Sequence, residues 1–533
     1  MQTELGCALP PASRHAITFH LPQWSSLVPF IEKDQVGALN SGYPHMLWHD
    51  DVKDVINTRE GQTAFIFTSS VSAAECKEYG TAADRGKENM LSPEDISIRV
   101  FDVKGEIRLY VVIFPESKLP ILHPFWQVSG RGISSRLAEE CLKNIETLRE
   151  ITEGSTSPIP TVKESEAHSK IRDRIAKLLE RAPIGAPRRV KVAPEDVYLF
   201  PSGTAAIYSV HRHLLEARCS NPALFGFAFH NTLQIFDFFQ PGYKLFGRGT
   251  DDELVDLEEF LEAQKEEGEN GQAIWAEFPS NPLLTAPQLN RLRELADKYG
   301  SLLIVDDTIG GFCNVDLLSD GADMIITSLT RAFSGHADVM GASVVLNPAS
   351  HRYSELKDIF NRHFVNDYYT LDAIAMEKNS RDYLARSAIL NANSLALVKF
   401  LDTKAKDPNS TVRQVDYPTT SSSVVNYTAY MRPGASDFKP GYGYVFTVEF
   451  ESIEATQAFY DNLDTHKGPH IGAHLTIALP YVRFWYSGQL EWVEKFGMRE
   501  TQVRISPGLE DTGELVEVFK AAVMAADEIE MPK

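Results

Sequence analysis

Cysteine is scarce in this chain: Cys7, Cys76, Cys141, Cys219 and Cys313 are odd in number and widely spaced, and no two form a CxxC pair. That excludes a disulfide framework and a thiolate metal or redox motif, and it points to a reducing compartment. Long apolar runs are missing as well. Nowhere do about 18 apolar residues follow one another, so no membrane-spanning helix is expected. The start MQTELGCALPPASRH carries Glu4 and has no basic stretch leading into an apolar one. A cytoplasmic protein is expected, and the N-x-S/T patterns at Asn409 and Asn426 then carry no glycan. Positive charge is also in short supply. Lys and Arg number 52 against 73 Asp and Glu, a net of −21 that repels phosphate backbones and anionic lipid. Neither nucleic acid nor a membrane is expected as a partner, although a local basic pocket for one small anion is still allowed. No Walker P-loop or GxGxxG follows a strand, and FPSGT lacks the GxSxG of a hydrolase elbow.

What remains is ordinary globular material: 533 residues, 43% apolar and 23% charged, enough for three or four units at about 150 residues each. Residues 1–160 are rich in Pro, His and aromatics, with one clear strand, Ile107 to Phe114, and a linker-like STSPIP from Ser155 to Pro160. A charged helix through Ile171, Ile175 and Leu178 ends near Pro183. From Val197 to Leu346 short apolar runs alternate with helical segments: VYLF, AIWAEF, SLLIVDD, MIITSL and ASVVLN. Strands buried on both faces and separated by helices predict a mostly parallel, doubly wound sheet, an α/β large domain spanning 161–380. A long helix over 383–401 follows, then the polar stretch KAKDPNSTVRQVDYPTTSSS, read as a loop. GYVFTVEF and a closing helix then complete a smaller α+β domain over 381–533.

Such a sheet binds ligands beyond the carboxyl ends of its strands, and five polar sites lie there. Ser202-Gly203-Thr204 opens a helix whose amides and dipole suit a phosphate, or serves as a plain cap. Asp306 ends an apolar strand, where a stable charge implies a cationic partner such as a protonated ring nitrogen. Ser328 and Thr330 place two hydroxyls on one side of an extended segment. Asn281 sits in the Pro-bounded loop EFPSNP. Arg504, alone in the apolar strand VRISPG, suits a carboxylate. The spacing of His466, His470 and His474 suggests metal ligands only if the segment is helical; Pro469 and Gly472 break that helix, and no metal is expected. The acidic block 251–269 reads as a solvated helix face.

In order, SGTAA, EFPSNP, VDDT, SLTRAFSGHADVMG and VRISPGLED resemble, from end to end, the transsulfuration (Cys/Met metabolism) family of pyridoxal 5'-phosphate (PLP) enzymes. LPQW, SGYPH, WQVSGRGISSR and GYGYVFTVEF are similar to its fungal cystathionine γ-synthase-like branch. The resemblance implies a PLP-dependent transferase type I (aspartate aminotransferase-like) fold and γ-replacement on an activated homoserine ester by a thiol. It also implies a homo-oligomer, a dimer or tetramer, in which the 1–160 extension helps complete a neighbouring subunit's site through 126–136, with Arg131 and Arg136. By the same resemblance Gly203, Thr204, Ser328 and Thr330 hold the cofactor phosphate, and Phe229 stacks on its ring where the family usually has tyrosine. Asp306 pairs with the ring nitrogen, Asn281 approaches the cofactor or the substrate, and Arg504 binds the amino acid carboxylate.

One departure stands out. The family places the Schiff-base lysine immediately after the S-x-T pair, and here that residue is Arg331. A guanidinium with a pKa above about 12 is neither a useful nucleophile nor a base. Three readings follow: a non-catalytic or regulatory paralogue; an enzyme that holds PLP non-covalently and uses another base such as His230 or His336; or a lysine-to-arginine disabled variant. The retained site residues favour PLP binding.

Overall fold

The computed structural model describes residues 4–27, 39, 47–56, 59–151, 164–239, 242–268, 271–319 and 321–529. SGYPH and STSPIP lie outside them. A four-stranded antiparallel sheet forms first, from β1 (Gln62–Phe67), β2 (Ser97–Val103), β3 (Ile107–Pro115) and β4 (Arg149–Ile151), in the order β1-β3-β2-β4. The sequence pattern exposed β3 alone, because β2 carries charged and polar residues on its outer face. This N-terminal unit is not a loose arm. Phe125, from its helix Leu119–Ser129, packs on Tyr208 of the helix Gly203–Leu215 at 6.1 Å and on Phe239, which caps the helix His230–Phe238, at 5.9 Å, both in the large sheet domain.

The large domain is built on β5 (Val197–Phe200), β6 (Ala223–Phe225), β7 (Lys244–Phe246), β8 (Ala273–Glu277), β9 (Leu302–Asp306), β10 (Met324–Ser328) and β11 (Ala342–Leu346). Their order is β5-β11-β10-β9-β8-β6-β7, and only β11 runs antiparallel to its neighbours. Side chains alternate between the two faces of a strand. Ile304, Met324 and Ile326 therefore join one core cluster, while Leu303, Val305 and Ile325 join the other. Both faces are buried, which is why these strands read as continuous apolar runs. The polar residues that end them collect along one rim.

The helix Tyr383–Ala405 leads to a third sheet of β12 (Val412–Asp416), β13 (Phe446–Phe450), β14 (His466–Lys467), β15 (Ile477–Leu479) and β16 (Gln502–Ser506), ordered β12-β13-β16-β15-β14. The polar stretch read as a loop thus contains β12. It is an edge strand with Arg413 and Gln414 exposed and a register shift between Val412 and Gln414, and such edges lack the apolar alternation that marks a strand. The acidic block forms the helix Glu253–Glu266, with Leu254, Leu257 and Leu261 buried, Glu253 buried against the Gly249 N–H, and most of the other charges outward. Among the described residues no helix is long and apolar enough to cross a membrane.

Candidate functional site

Strands β5, β8, β9 and β10 all end at one recess of about 640 Å³, which the small domain closes with Arg504 and the segment around Pro469. Gly203, Thr204, Phe229, Asn281, Asp306, Ser328, Arg331 and Arg504 all line it. A second hollow of about 790 Å³ lies between the N-terminal unit and residues 338–372, with Pro201 just after β5 on its wall.

At the end of β5 the Ser202 hydroxyl accepts from the Ala205 N–H at 3.0 Å and donates to the Gly130 carbonyl at 3.1 Å, capping the helix Gly203–Leu215. The first turn of a helix leaves amides without intrahelical acceptors, at its positive dipole end. A Cβ on Gly203 would stand 3.2 Å from Ser328 Oγ and 3.3 Å from Ser328 Cβ, so glycine is what brings the helix end against β10. The result is a small cradle of amides and one hydroxyl.

The second hydroxyl does not join it. Beyond Ser328 the chain turns, and Thr330 Oγ1 donates to the Gly341 carbonyl and accepts from the Gly341 N–H, both at 3.1 Å. The placement of both hydroxyls on one side required extended chain through residue 330, and β10 stops at Ser328.

Asp306 ends β9 inside the recess, with Oδ1 accepting from the Thr308 N–H at 2.8 Å. Burial raises its pKa, while Thr308 and the Arg331 charge act in the other direction. Glu277 is its register neighbour on β8 and accepts from the Phe229 N–H at 2.5 Å. Burial and the Asp306 charge push Glu277 well above the ordinary carboxyl range. Phe229 is thereby held at the start of the helix His230–Phe238. Asp307 faces the other way, bonded by the Thr327 hydroxyl, and burial pushes it up to about 7.

Arg504, on β16 and 3% exposed, donates to the Asn281 Oδ1 at 3.3 Å and to the Pro469 carbonyl at 3.0 Å, with its guanidinium 4.6 Å from the Tyr481 ring centroid. Arg331 is 7% exposed and donates from Nη1 to His470 Nδ1 at 2.9 Å. Neither alternative base faces the recess. His230 stacks on Trp485 at 4.7 Å, and burial lowers its pKa to about 4; His336 lies beside His474 at 5.9 Å.

The three spaced histidines diverge. His466 packs on His20 at 4.5 Å, His470 meets Arg331, and His474 bonds the Pro10 carbonyl at 2.7 Å. Among the described residues no group of three or more His, Cys, Asp or Glu is arranged to hold a metal. Arg131 and Arg136 are engaged within their own chain, Arg131 with Glu75 and Ser209, Arg136 with Asp372 and the Asp338 carbonyl. Sequence reasoning gave Glu277 no role of its own within EFPSNP and weighed His470 only as a metal ligand. Glu277 ends the apolar run AIWAE just as Asp306 ends SLLIVD, so the same rule finds it; nothing local marks His470.

The chain matches the family model described as Cys/Met metabolism PLP-dependent enzyme over residues 190–524, and the fungal trans-sulfuration enzyme N-terminal domain over 49–134. It is 33% identical to the cystathionine gamma-synthase-like enzyme iboG1 of Amanita muscaria, covering 98% of this chain and 97% of that protein. It is 32% identical to the cystathionine gamma-synthase of Neurospora crassa (98% and 99%) and to the alanine racemase ungC of Aspergillus violaceofuscus (97% and 96%). Among solved structures, the cystathionine gamma synthase of Xanthomonas oryzae pv. oryzae in complex with cystathionine aligns with a TM-score of 0.56 at 21% identity, over 71% of this chain and 91% of that one.

Proposed function

The chain belongs to the Cys/Met metabolism family of PLP-dependent enzymes, and from that premise we propose that its recess holds PLP without a covalent anchor and performs cystathionine γ-synthase-like chemistry on an amino acid. The substrate class we favour is an activated homoserine ester undergoing γ-replacement by a thiol. The observation that carries this reading is the meeting of the Gly203–Ser328 cradle, Asp306 and Arg504 in one recess.

The residues present fit the cofactor except at the covalent position and at Thr330, whose hydroxyl is held by Gly341. The Gly203 and Thr204 amides and the Ser328 hydroxyl would hold its phosphate, with the helix dipole adding to the attraction. Asp306 would keep the ring nitrogen protonated, and that cation would in turn let the buried carboxylate stay charged. The Phe229 ring would cover one face; it keeps the stacking of the family's tyrosine and lacks the phenol. Bound PLP supplies an electron sink that stabilises carbanionic character at the amino acid α-carbon. Arg504 would orient the substrate through its carboxylate, with Asn281 steadying the guanidinium. A guanidinium is not a proton carrier as an amine is, so the side chain at 331 cannot pass a proton from carbon to carbon. Turnover by this chain therefore lacks the lysine's contribution and is expected to be slow.

We assign 161–380 to cofactor binding and 381–533 to the small domain, and place the protein in the cytoplasm as a dimer or tetramer. The N-terminal 1–160 would support the neighbouring subunit's site through backbone and surface groups, since Arg131 and Arg136 are already bound at home.

An absorbance spectrum and cofactor assay on the purified chain test the proposal. One PLP per chain, with borohydride reduction leaving no cofactor attached to a lysine, is the expected result. Absence of stoichiometric PLP overturns the cofactor assignment, and a labelled lysine overturns the claim that residue 331 is the only anchor position.

A further inference from the structure

Two carboxyls of the recess stand side by side. Glu277 closes β8 and Asp306 closes β9, and the parallel register pairs them directly, so both side chains leave the same face of the sheet. Both line the recess, and both also border a smaller, mainly apolar hollow of about 310 Å³ that includes Ile207, Leu224 and Ile326. Their partners differ. Asp306 accepts from the Thr308 N–H at 2.8 Å and feels the Arg331 charge. Glu277, 9% exposed, holds two backbone amides, that of Phe229 at 2.5 Å and that of Asn281. Facing it from the helix Tyr481–Tyr486 are the phenols of Tyr481 and Tyr486.

Two buried carboxyls this close cannot both carry charge at low cost. The Arg331 charge acts on Asp306, whereas the groups drawn up to Glu277 are amides and phenols, so the negative charge sits on Asp306 and the proton on Glu277. Two N–H donors aimed at one carboxyl nevertheless make a good seat for a carboxylate. What opposes ionisation there is burial and the neighbouring Asp306 charge. A cation paired with Asp306 cancels the second of these.

We propose that Glu277 is the proton store for the cofactor ring: it gives up its proton when Asp306 pairs with a protonated ring nitrogen, and as a carboxylate it then grips Phe229 and Asn281. This rests on the assignment of Asp306 to the ring nitrogen of PLP. In the balance, one O–H bond breaks at Glu277, with its electron pair left on the oxygen, and one N–H bond forms on the lone pair of the ring nitrogen. Asp306 stays charged throughout. Charge-assisted hydrogen bonds are roughly twice as strong as neutral ones. The ring cover at Phe229 and the Asn281 beside Arg504 are therefore drawn tighter as the ring is bound. Glu277 acts through Asp306 and the two amides and is a positioning residue.

Glu277→Gln keeps the shape of the protonated side chain and has no proton to release, so its comparison with the parent isolates this event and cancels the protonation of free PLP. Calorimetric titration of PLP into the full chain at neutral pH, in two buffers of different ionisation enthalpy, counts the protons exchanged. The variant should take up about one proton more than the parent, and its affinity should fall about tenfold more per pH unit as pH rises through neutrality. A packing defect alone would weaken binding and leave the count and the slope unchanged. Equal proton counts in two chains that both bind PLP overturn this proposal and leave the cofactor reading standing. Failure of the parent chain to bind PLP overturns both. Circular dichroism shows whether Glu277→Gln folds. If it does not, infrared difference spectra of the parent take its place: adding PLP should remove one protonated-carboxyl band, and a spectrum without that loss overturns the proposal.

Discussion

At residue 331 the difference between two cationic side chains decides the chemistry. A lysine amine can lose its proton and bond to a carbonyl carbon, whereas a guanidinium keeps its proton across the working range. Arg331→Lys should therefore convert a freely exchangeable cofactor into one that borohydride fixes at residue 331 of the mapped peptide. Because a positioned proton carrier contributes about 10²–10⁴-fold, γ-replacement activity should rise by at least about a hundredfold over the parent chain. A variant that binds PLP but gains no label at 331 would show that the amine cannot reach it. Asp306 and Glu277 show how much of such a site can be read locally: a carboxylate closing an apolar strand must lie at a sheet rim. Thr330 shows the limit. Its place two residues beyond Ser328 matched a shared face, but the backbone turn that breaks that match leaves no trace in the pattern of side chains.

At the scale of elements, the phosphate cradle depends on a close approach between the N-terminal unit and the helix Gly203–Leu215. Gly130 ends the helix Leu119–Ser129 with φ near +63°, and its carbonyl accepts the Ser202 hydroxyl. A Cβ there would meet the hydroxyls of Ser202 and Thr204 and lie 2.9 Å from the Ala205 amide. Gly130→Ala should lower stability by about 1–3 kcal/mol, through crowding and the left-handed backbone, and should weaken PLP binding as well. Denaturant melts and a cofactor titration measure the two effects; an unchanged cofactor affinity in the folded variant would separate the cradle from the N-terminal unit. The strand β12 belongs to the same scale. Its polar, edge-facing residues concealed it, because exposure on one side and a shifted register remove the alternation by which strands are recognised.

For the whole molecule, buried titratable groups pull stability in opposite directions as pH changes. Burial lowers His213 and His466 to about 3 and His20 to about 4, below the 6.5 of the unfolded chain, so the unfolded state takes up protons first as pH falls through 6.5 and these residues destabilise the fold in acid. Asp307 and Asp416 have the reverse sign. Burial raises both to about 7, so the fold holds their protons between about pH 4 and 7 and loses stability as pH rises through that window. The two sets offset each other, and the melting temperature should vary little between pH 5 and 7. Asp416 lies far from the recess on β12, and removing its charge should unbalance the pair of effects. Asp416→Asn should melt close to the parent at pH 5 and increasingly above it up to about pH 8. A difference in melting temperature that does not grow with pH would mean that Asp416 ionises freely.

The sequence by itself determined five of the seven strands of the large sheet, the carboxylates and hydroxyls at their ends, the family and the arginine at 331. These are local properties, expressed through alternation, helix caps and the order of short motifs. Only the tertiary structure decided which of those ends share one recess, that Thr330 turns away from it, and that Pro469 and His470 grip the two arginines. His470 lies 139 residues from Arg331, on the loop between β14 and β15 in the small domain. Whether such a pair meets depends on how two sheets pack and where buried donors find acceptors, and no spacing along the chain encodes that.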